Sequence, residues 1–98
     1  MVRKVKWTNR ALTELEKTVE YLTTNFSKKE IIKLEKAIYE TLELIDQYPN
    51  VFPSSKKKDG IRKAVVLKYN NLISSFDNDV IIVLSFFSNR QNPSKQDL

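Results

Sequence analysis

"VIIVLSFF", residues 80–87, is the most apolar stretch of the chain, and it decides the fold. β-Branched and aromatic side chains dominate it, which is typical of a β-strand. Successive side chains of a strand point to opposite faces of the sheet. One predicted face carries Ile81, Val83 and Phe87. The other carries Val80, Ile82, Leu84 and Phe86, so that only Ser85 interrupts an apolar pattern on both faces.

Two further strands are predicted immediately before this one. They are "IRKAVVL", residues 61–67, and "NLISSF", residues 71–76. A turn near Tyr69 and Asn70 joins them, and a second turn at residues 77–79 leads into the last strand. Strands joined by such short turns pair antiparallel. The second half of the chain therefore predicts a three-stranded antiparallel meander.

Two helices are predicted upstream, because apolar residues recur there at intervals of three and four. The first stripe is Leu12, Leu15, Val19, Leu22 and Phe26; the second is Ile31, Leu34, Ile38, Leu42 and Ile45. Thr8 is expected to cap the first helix, with Trp7 packed on Leu12. Ser27 and Glu30 form the pattern of a capping box at the start of the second. A connection this short predicts an antiparallel helix hairpin.

An opening strand completes the order of elements. "VRKVKW", residues 2–7, alternates apolar and polar side chains as a half-buried strand does. The order β-α-α-β-β-β predicts an α+β fold, with the helix hairpin packed on one face of the sheet. We expect residues 1–98 to form a single domain, since this length supports only one hydrophobic core.

The doubly apolar last strand also predicts a partner. A strand that is apolar on both faces is normally covered on both, and the hairpin can cover only one. Only five residues follow Pro93, too few for another helix. Because exposed apolar patches usually mark interfaces, we expect a partner protein to cover Ile81, Val83 and Phe87. The alternatives are a homodimer, or a twisted sheet that hides Phe87 under the loop at residues 50–60.

After this strand the chain continues into "SNRQNP", residues 88–93, where Arg90 stands among polar residues. Pro93 restrains the backbone, so we expect the guanidinium group to project from a fixed base. Its planar fork of donors suits a phosphate or a carboxylate. Alternatively, Arg90 is a surface residue that only bonds carbonyl groups at the end of the strand.

Composition narrows the chemistry that is possible. The chain has no cysteine and no histidine, which excludes disulfides, thiolate nucleophiles, histidine acid–base catalysis and the usual zinc sites. We expect no metal and no cofactor. Lysine and arginine number 17 against 12 acidic residues, and a net charge of +5 favours nucleic acid or acidic proteins as partners. No apolar run could span a membrane and no signal peptide is evident, so we expect a cytoplasmic protein.

Two longer segments resemble a known superfamily. They are "VKWTNRALTELEKTVEYL", residues 5–22, and "GIRKAVVLKYNNLISSFDNDVIIVLSFFSNRQNP", residues 60–93. With the helix hairpin between them they resemble the RelE/ParE superfamily of bacterial toxins over residues 3–93. The most specific pieces are W-T-x-x-A-x-x-x-L from Trp7 and R-Q-N-P from Arg90. The resemblance implies a toxin neutralised by a cognate antitoxin, whose acidic, amphipathic C-terminal segment folds onto the toxin.

The superfamily has two branches, and individual positions separate them. The RelE-like branch cuts mRNA in the ribosomal A site without metal, using basic residues and usually a tyrosine. The ParE-like branch lacks this set and, where its target is known, acts on DNA gyrase. Here Asn71 stands where the nuclease branch has an arginine, Arg90 fits a second arginine, and Gln96 stands where the tyrosine is expected. The remaining nuclease cations could be matched by Lys56, Lys57, Lys58, Arg62 or Lys63.

The resemblance therefore implies a ParE-like toxin of the plasmid-stabilisation type, which inhibits growth by binding an essential target such as DNA gyrase. On this interpretation the protein is not an enzyme. The alternative is a ribosome-dependent, metal-independent mRNA endonuclease with a reduced site, in which Arg90 is catalytic. A second alternative is an inactive module that binds nucleic acid or antitoxin. The predicted target-binding residues are Lys56, Lys57, Lys58, Arg62, Lys63 and Arg90, and the predicted antitoxin-binding residues are Ile81, Val83 and Phe87.

Overall fold

Four strands and two helices follow one another in the predicted β-α-α-β-β-β order. A computed structural model describes residues 3–54 and 60–89 of the chain. The elements are β1 (Lys4–Trp7), α1 (Asn9–Asn25), α2 (Lys28–Gln47), β2 (Arg62–Val66), β3 (Asn70–Asp77) and β4 (Val80–Ser88). The α+β class and the helix pair are confirmed.

The strands form one mixed sheet in the order β1-β4-β3-β2. The pairs β2–β3 and β3–β4 are antiparallel, which confirms the predicted meander. Strand β1 pairs parallel with β4, from Lys4 opposite Val80 to Trp7 opposite Val83. The first and last strands are thus neighbours, and β4 lies inside the sheet while β1 and β2 form its two edges.

Both helices pack on one face of this sheet, as predicted. The helices contribute Ala11, Leu22, Leu34, Ile38, Leu42 and Ile45 to the buried core. The sheet contributes Ala64, Val66, Leu72, Ile81, Val83 and Phe86. Within the described ranges, neither helix is long and apolar enough to cross a membrane.

The buried stripe of α2 is the predicted one, but that of α1 is displaced by one residue. In α1 the buried positions are Ala11, Glu14, Thr18 and Leu22. Leu12 and Phe26, predicted to face the core, are 43% and 44% exposed. The displacement brings small and polar side chains against β4, where Glu14 finds hydrogen-bond donors in the strand.

The two helix starts behave differently. The hydroxyl of Thr8 accepts a hydrogen bond from the Ala11 amide at 3.1 Å, so the predicted N-cap of α1 is confirmed. Ser27 makes no side-chain cap bond, and the predicted capping box at α2 is wrong. A backbone bond of 3.0 Å from the Glu30 amide to the Ser27 carbonyl closes that first turn instead.

A β-bulge changes which side chains of β4 face the helices. Ser74 pairs with Val83 and Ile73 pairs with Ser85, so Leu84 is an extra residue in β4. An extra residue reverses the alternation of faces beyond it. Val83 and Phe86 therefore both lie in the core, although they are three residues apart.

The bulge corrects the sequence-based assignment of faces. Ile81 and Val83 were expected on an uncovered face with Phe87, but both are fully buried beneath the helices. Phe87 is also buried, at 3% exposure, yet it lies outside the core cluster. Because the bulge separates Phe87 from the other two residues, these three side chains cannot form one docking surface.

We expect Thr8→Ala to lower the free energy of unfolding by about 1–2 kcal/mol, the usual cost of losing an N-cap. The hydroxyl also donates to the Leu84 carbonyl at 3.1 Å, so its loss weakens the α1–β4 contact as well. Thr8→Ser keeps the hydroxyl and serves as the control in urea unfolding. Equal stability of the alanine and serine variants would contradict a role for this cap.

Candidate functional site

The face of the sheet turned away from the helices, here called the outer face, is the candidate site. Its members follow from the strand register, since partners across a sheet share a face. They are Lys4, Lys6, Lys63, Val65, Asn71, Ile73, Ser75, Asp77, Val80, Ile82, Ser85 and Phe87. Two rows cross it, one through Lys6, Ile82 and Ser75 and the other through Val65, Asn71 and Phe87.

The outer face has an apolar centre between basic edges. Lys4 and Lys6 are exposed on the β1 edge, and Lys63 lies half-buried on the β2 edge. Between them Val80 and Ile82 are partly exposed and Ile73 and Phe87 are buried. Val65 is 59% exposed but lies on the β2 edge itself, and Asp77 is exposed at the end of β3. An apolar strip flanked by cations is complementary to a segment that is itself apolar and acidic.

Asparagines fix the end of β4 at one corner of the outer face. The amide of Asn71, which is only 2% exposed, donates to the side-chain oxygen of Asn89 at 3.0 Å. The backbone amide of Asn89 donates to the Tyr69 carbonyl at 2.7 Å. Tyr69 and Asn71, at the start of β3, thus hold the end of β4 at Asn89, one residue before Arg90 in the sequence.

The turn between β2 and β3 is strained and contains no glycine. Leu67 and Lys68 have φ values of 52° and 70°, the left-handed region that residues with a Cβ rarely occupy. The Tyr69 amide donates to the Leu67 carbonyl at 2.8 Å, which makes a γ-turn centred on Lys68. Such strain persists only where the surroundings impose it, and here the Asn89 bond to Tyr69 is one such constraint.

Beside this turn, on the helix side of the sheet, lies a cleft of about 260 Å³. The hairpin contributes Tyr21, Glu30 and Lys33 to its lining, and the turn contributes Lys68 and Tyr69. Sequence analysis did not find this cleft, because its lining comes from separate elements with no shared motif. Tyr69 was predicted to lie at a turn, and the structure confirms this position.

Of the predicted target-binding cations, the structure separates Arg62 from Lys63. The Arg62 guanidinium donates to the Phe52 carbonyl at 2.6 Å and to the Asn50 side chain at 2.9 Å. It therefore fastens the chain after α2 to β2. Lys63 lies on the opposite face of the strand, as the alternation predicts, and shares the outer face with Lys4 and Lys6. Lys56, Lys57, Lys58 and Arg90 lie outside the described residues.

Asn71 stands where the resemblance implies an arginine in the nuclease branch. Asn71 is a neutral amide, so it cannot supply the positive charge that stabilises a phosphorane. Among residues 3–54 and 60–89, no group of three metal-ligating side chains comes together. The two described side chains Asn71 and Asn89 make this corner an uncharged, hydrogen-bonded support.

The sequence of this chain matches the model of a known protein family. A family model described as "ParE toxin of type II toxin-antitoxin system, parDE" matches residues 5–93. No curated protein sequence matches the chain.

Several solved structures share the fold. The chromosomal ParDE system from P. aeruginosa is 16% identical, with 88% of this chain and 95% of that chain covered and a TM-score of 0.70. The YoeB–YefM complex from Staphylococcus aureus is 19% identical, covers 89% and 97%, and has a TM-score of 0.58. The E. coli DinJ–YafQ toxin–antitoxin complex is 12% identical, covers 94% and 98%, and also scores 0.58. At these identities the likeness shows the fold alone.

We expect Asn71→Ala to destabilise the protein by about 1–3 kcal/mol, because it removes a buried hydrogen-bond partner of Asn89. Ser75→Ala, on the same face of the same strand, is the matched control and should cost about 0.5 kcal/mol or less. Amide hydrogen exchange at Asn89 should accelerate only in the Asn71 variant. Equal stability and equal Asn89 exchange in both variants would show that the asparagine pair does not hold this corner.

Proposed function

The chain belongs to the ParE toxin family of type II toxin–antitoxin systems, and we propose that it stops growth by binding an essential target protein, with DNA gyrase expected. The observation that supports binding over RNA cleavage is the burial and hydrogen bonding of Asn71. This residue stands where the nuclease branch has an arginine, and it is buried and bonded to Asn89. Asn71 thus has a structural role, which an arginine acting as a catalytic cation at this position would not have.

The chemistry of RNA cleavage explains why this position matters. Attack by the 2′-hydroxyl needs a base for that hydroxyl, cations for the phosphorane and an acid for the leaving oxygen. An asparagine supplies none of these. Loss of one positioned acid or base alone typically costs a factor of about 10²–10⁴ in rate. Growth inhibition through binding needs no such groups.

The target surface proposed here centres on the basic β2 edge of the outer face. Lys63 lies there, and in the sequence it follows the lysines at 56–58 closely. Arg90 follows the corner held by Asn71 and Asn89. Arg62 is left out of this surface because its guanidinium already bonds Asn50 and Phe52. The acidic partner of these cations is a protein surface on the target.

The antitoxin proposed as the second partner lies across the apolar centre of the outer face. Its acidic, amphipathic segment would place apolar side chains on Val65 and Ile82, and carboxylates near Lys4, Lys6 and Lys63. This assignment replaces the earlier one, since Ile81 and Val83 are core residues. Relatives of the same fold are recorded as toxin–antitoxin complexes, which supports a partner of this kind.

Expression without a partner should arrest growth or cause filamentation, while purified protein leaves mRNA on programmed ribosomes intact. The reason is that Asn71 replaces a nuclease arginine and is committed to Asn89. Growth curves and primer extension on the same strain measure both effects. Codon-specific cuts would replace the binding proposal with the endonuclease, and unimpaired growth at high soluble expression would favour the inactive module.

Ile82→Asp should weaken the antitoxin complex by at least about tenfold in Kd, because a carboxylate would replace an apolar contact and repel an acidic segment. Tyr39→Asp is the matched control, since Tyr39 is 59% exposed on α2 and lies away from the outer face. Isothermal titration with the purified antitoxin measures both affinities, and melting curves confirm folding. An affinity loss in the Tyr39 variant with none in the Ile82 variant would move the interface to the helices.

A further inference from the structure

A buried carboxylate in α1 has no part in the proposed target or antitoxin contacts. Glu14 is 6% exposed and occupies a position in the buried stripe of the helix. Burying a carboxylate is unfavourable unless hydrogen bonds compensate for the lost hydration. Its Oε1 accepts from the Ser85 hydroxyl at 2.7 Å and from the Phe86 amide at 3.2 Å, and the Arg10 Nε lies 3.5 Å away.

The donors that Glu14 binds come directly after the bulge in β4. Pairing with β1 ends at Val83, so beyond this point no strand of the described chain pairs with β4 on that side. Thr8 and Glu14 take the place of that strand. The Thr8 amide donates to the Val83 carbonyl at 3.0 Å, and its hydroxyl donates to the Leu84 carbonyl. Side chains and backbone around the start of α1 therefore bond every residue from Val83 to Phe86.

The bulge decides which phenylalanine enters the core. Residues two apart in a regular strand share a face, so without the bulge Val83 would share the core face with Ser85 and Phe87. Phe86 would then move to the outer face. Both arrangements bury a phenylalanine, and hydrophobicity alone discriminates poorly between them. A polar contact that forms in only one of these two registers can favour that register.

We propose that Glu14 is a positioning residue that selects the bulged register of β4. By binding Ser85 and Phe86 together it holds Phe86 in the core and turns Phe87 and Asn89 toward Asn71 on the outer face. It thereby sets the corner from which Arg90 continues. The effect on toxicity rests on the proposed function, whereas the effect on the register does not.

The chain has a built-in probe of the register. Its single tryptophan, Trp7, has its ring centroid 6.2 Å from that of Phe86. Nuclear Overhauser contacts between the two rings report the bulged register, and contacts between Trp7 and Phe87 would report the regular one. Near-ultraviolet circular dichroism of Trp7 follows the same change in larger sets of variants.

Two substitutions at Glu14 separate hydrogen bonding from packing and charge. Glu14→Gln keeps an oxygen acceptor for Ser85 and Phe86, and we expect the wild-type Trp7–Phe86 contacts and wild-type toxicity per folded molecule. Glu14→Leu keeps the volume without the acceptor. We expect it to lose the Trp7–Phe86 contacts and to lower toxicity by about tenfold or more, as when a central contact is lost. Glu16→Leu, the same change at an exposed position of α1, should alter neither.

Ser85→Ala decides the question if Glu14→Leu does not fold, because it removes one donor and leaves the Phe86 amide. It should weaken the Trp7–Phe86 contacts in the same direction. Retained contacts and retained toxicity per folded molecule in the leucine or alanine variant would overturn the proposal. A changed register with unchanged toxicity would overturn its functional half alone. If the wild type is not toxic, the Trp7 contacts still test the register independently of the proposed function.

Discussion

The contact between α1 and β4 is the interaction on which the rest of this structure depends. Strand β4 lies between β1 and β3 and places three side chains at the centre of the core. Among the described residues, its second half has a strand neighbour on only one side, and Thr8 and Glu14 supply hydrogen-bond partners on the other. A helix and a strand far apart in the sequence are thus joined by polar bonds beside the apolar core. The position of the outer face relative to the helices follows from this contact between α1 and β4.

Much of the fold could be predicted because local signals and tertiary packing agree. Period-two alternation predicted the meander, and the three-and-four spacing predicted α2, whose stripe from Leu34 to Ile45 is buried as expected. The stripe of α1 was misjudged because Glu14 is buried by specific donors rather than by hydrophobicity. The exchange of faces in β4 was also missed. A bulge depends on the register with β3, and the bulged and regular registers both fit the same run of apolar residues.

The candidate site was predictable only in part, for similar reasons. Alternation correctly separated Arg62 from Lys63, but no sequence signal distinguished a guanidinium that binds a loop from one that binds a partner. The substitution at Asn71 was noticed through resemblance, whereas its bond to Asn89 required the neighbouring strand. Whether Arg90 and the lysines at 56–58 contact a target stays a prediction. Chains only 12–19% identical share this fold, and a shared fold does not determine function.

The parallel pairing of β1 with β4 has a consequence for biosynthesis. Thr8 and Leu84, which are bonded to each other, are 76 residues apart. A ribosome adding roughly 5–20 residues per second makes the first strand about 4–15 s before its neighbour. Until then β1 has no strand to pair with and the core lacks its central layer. The nascent polypeptide therefore cannot display the finished outer face until β4 has been synthesised.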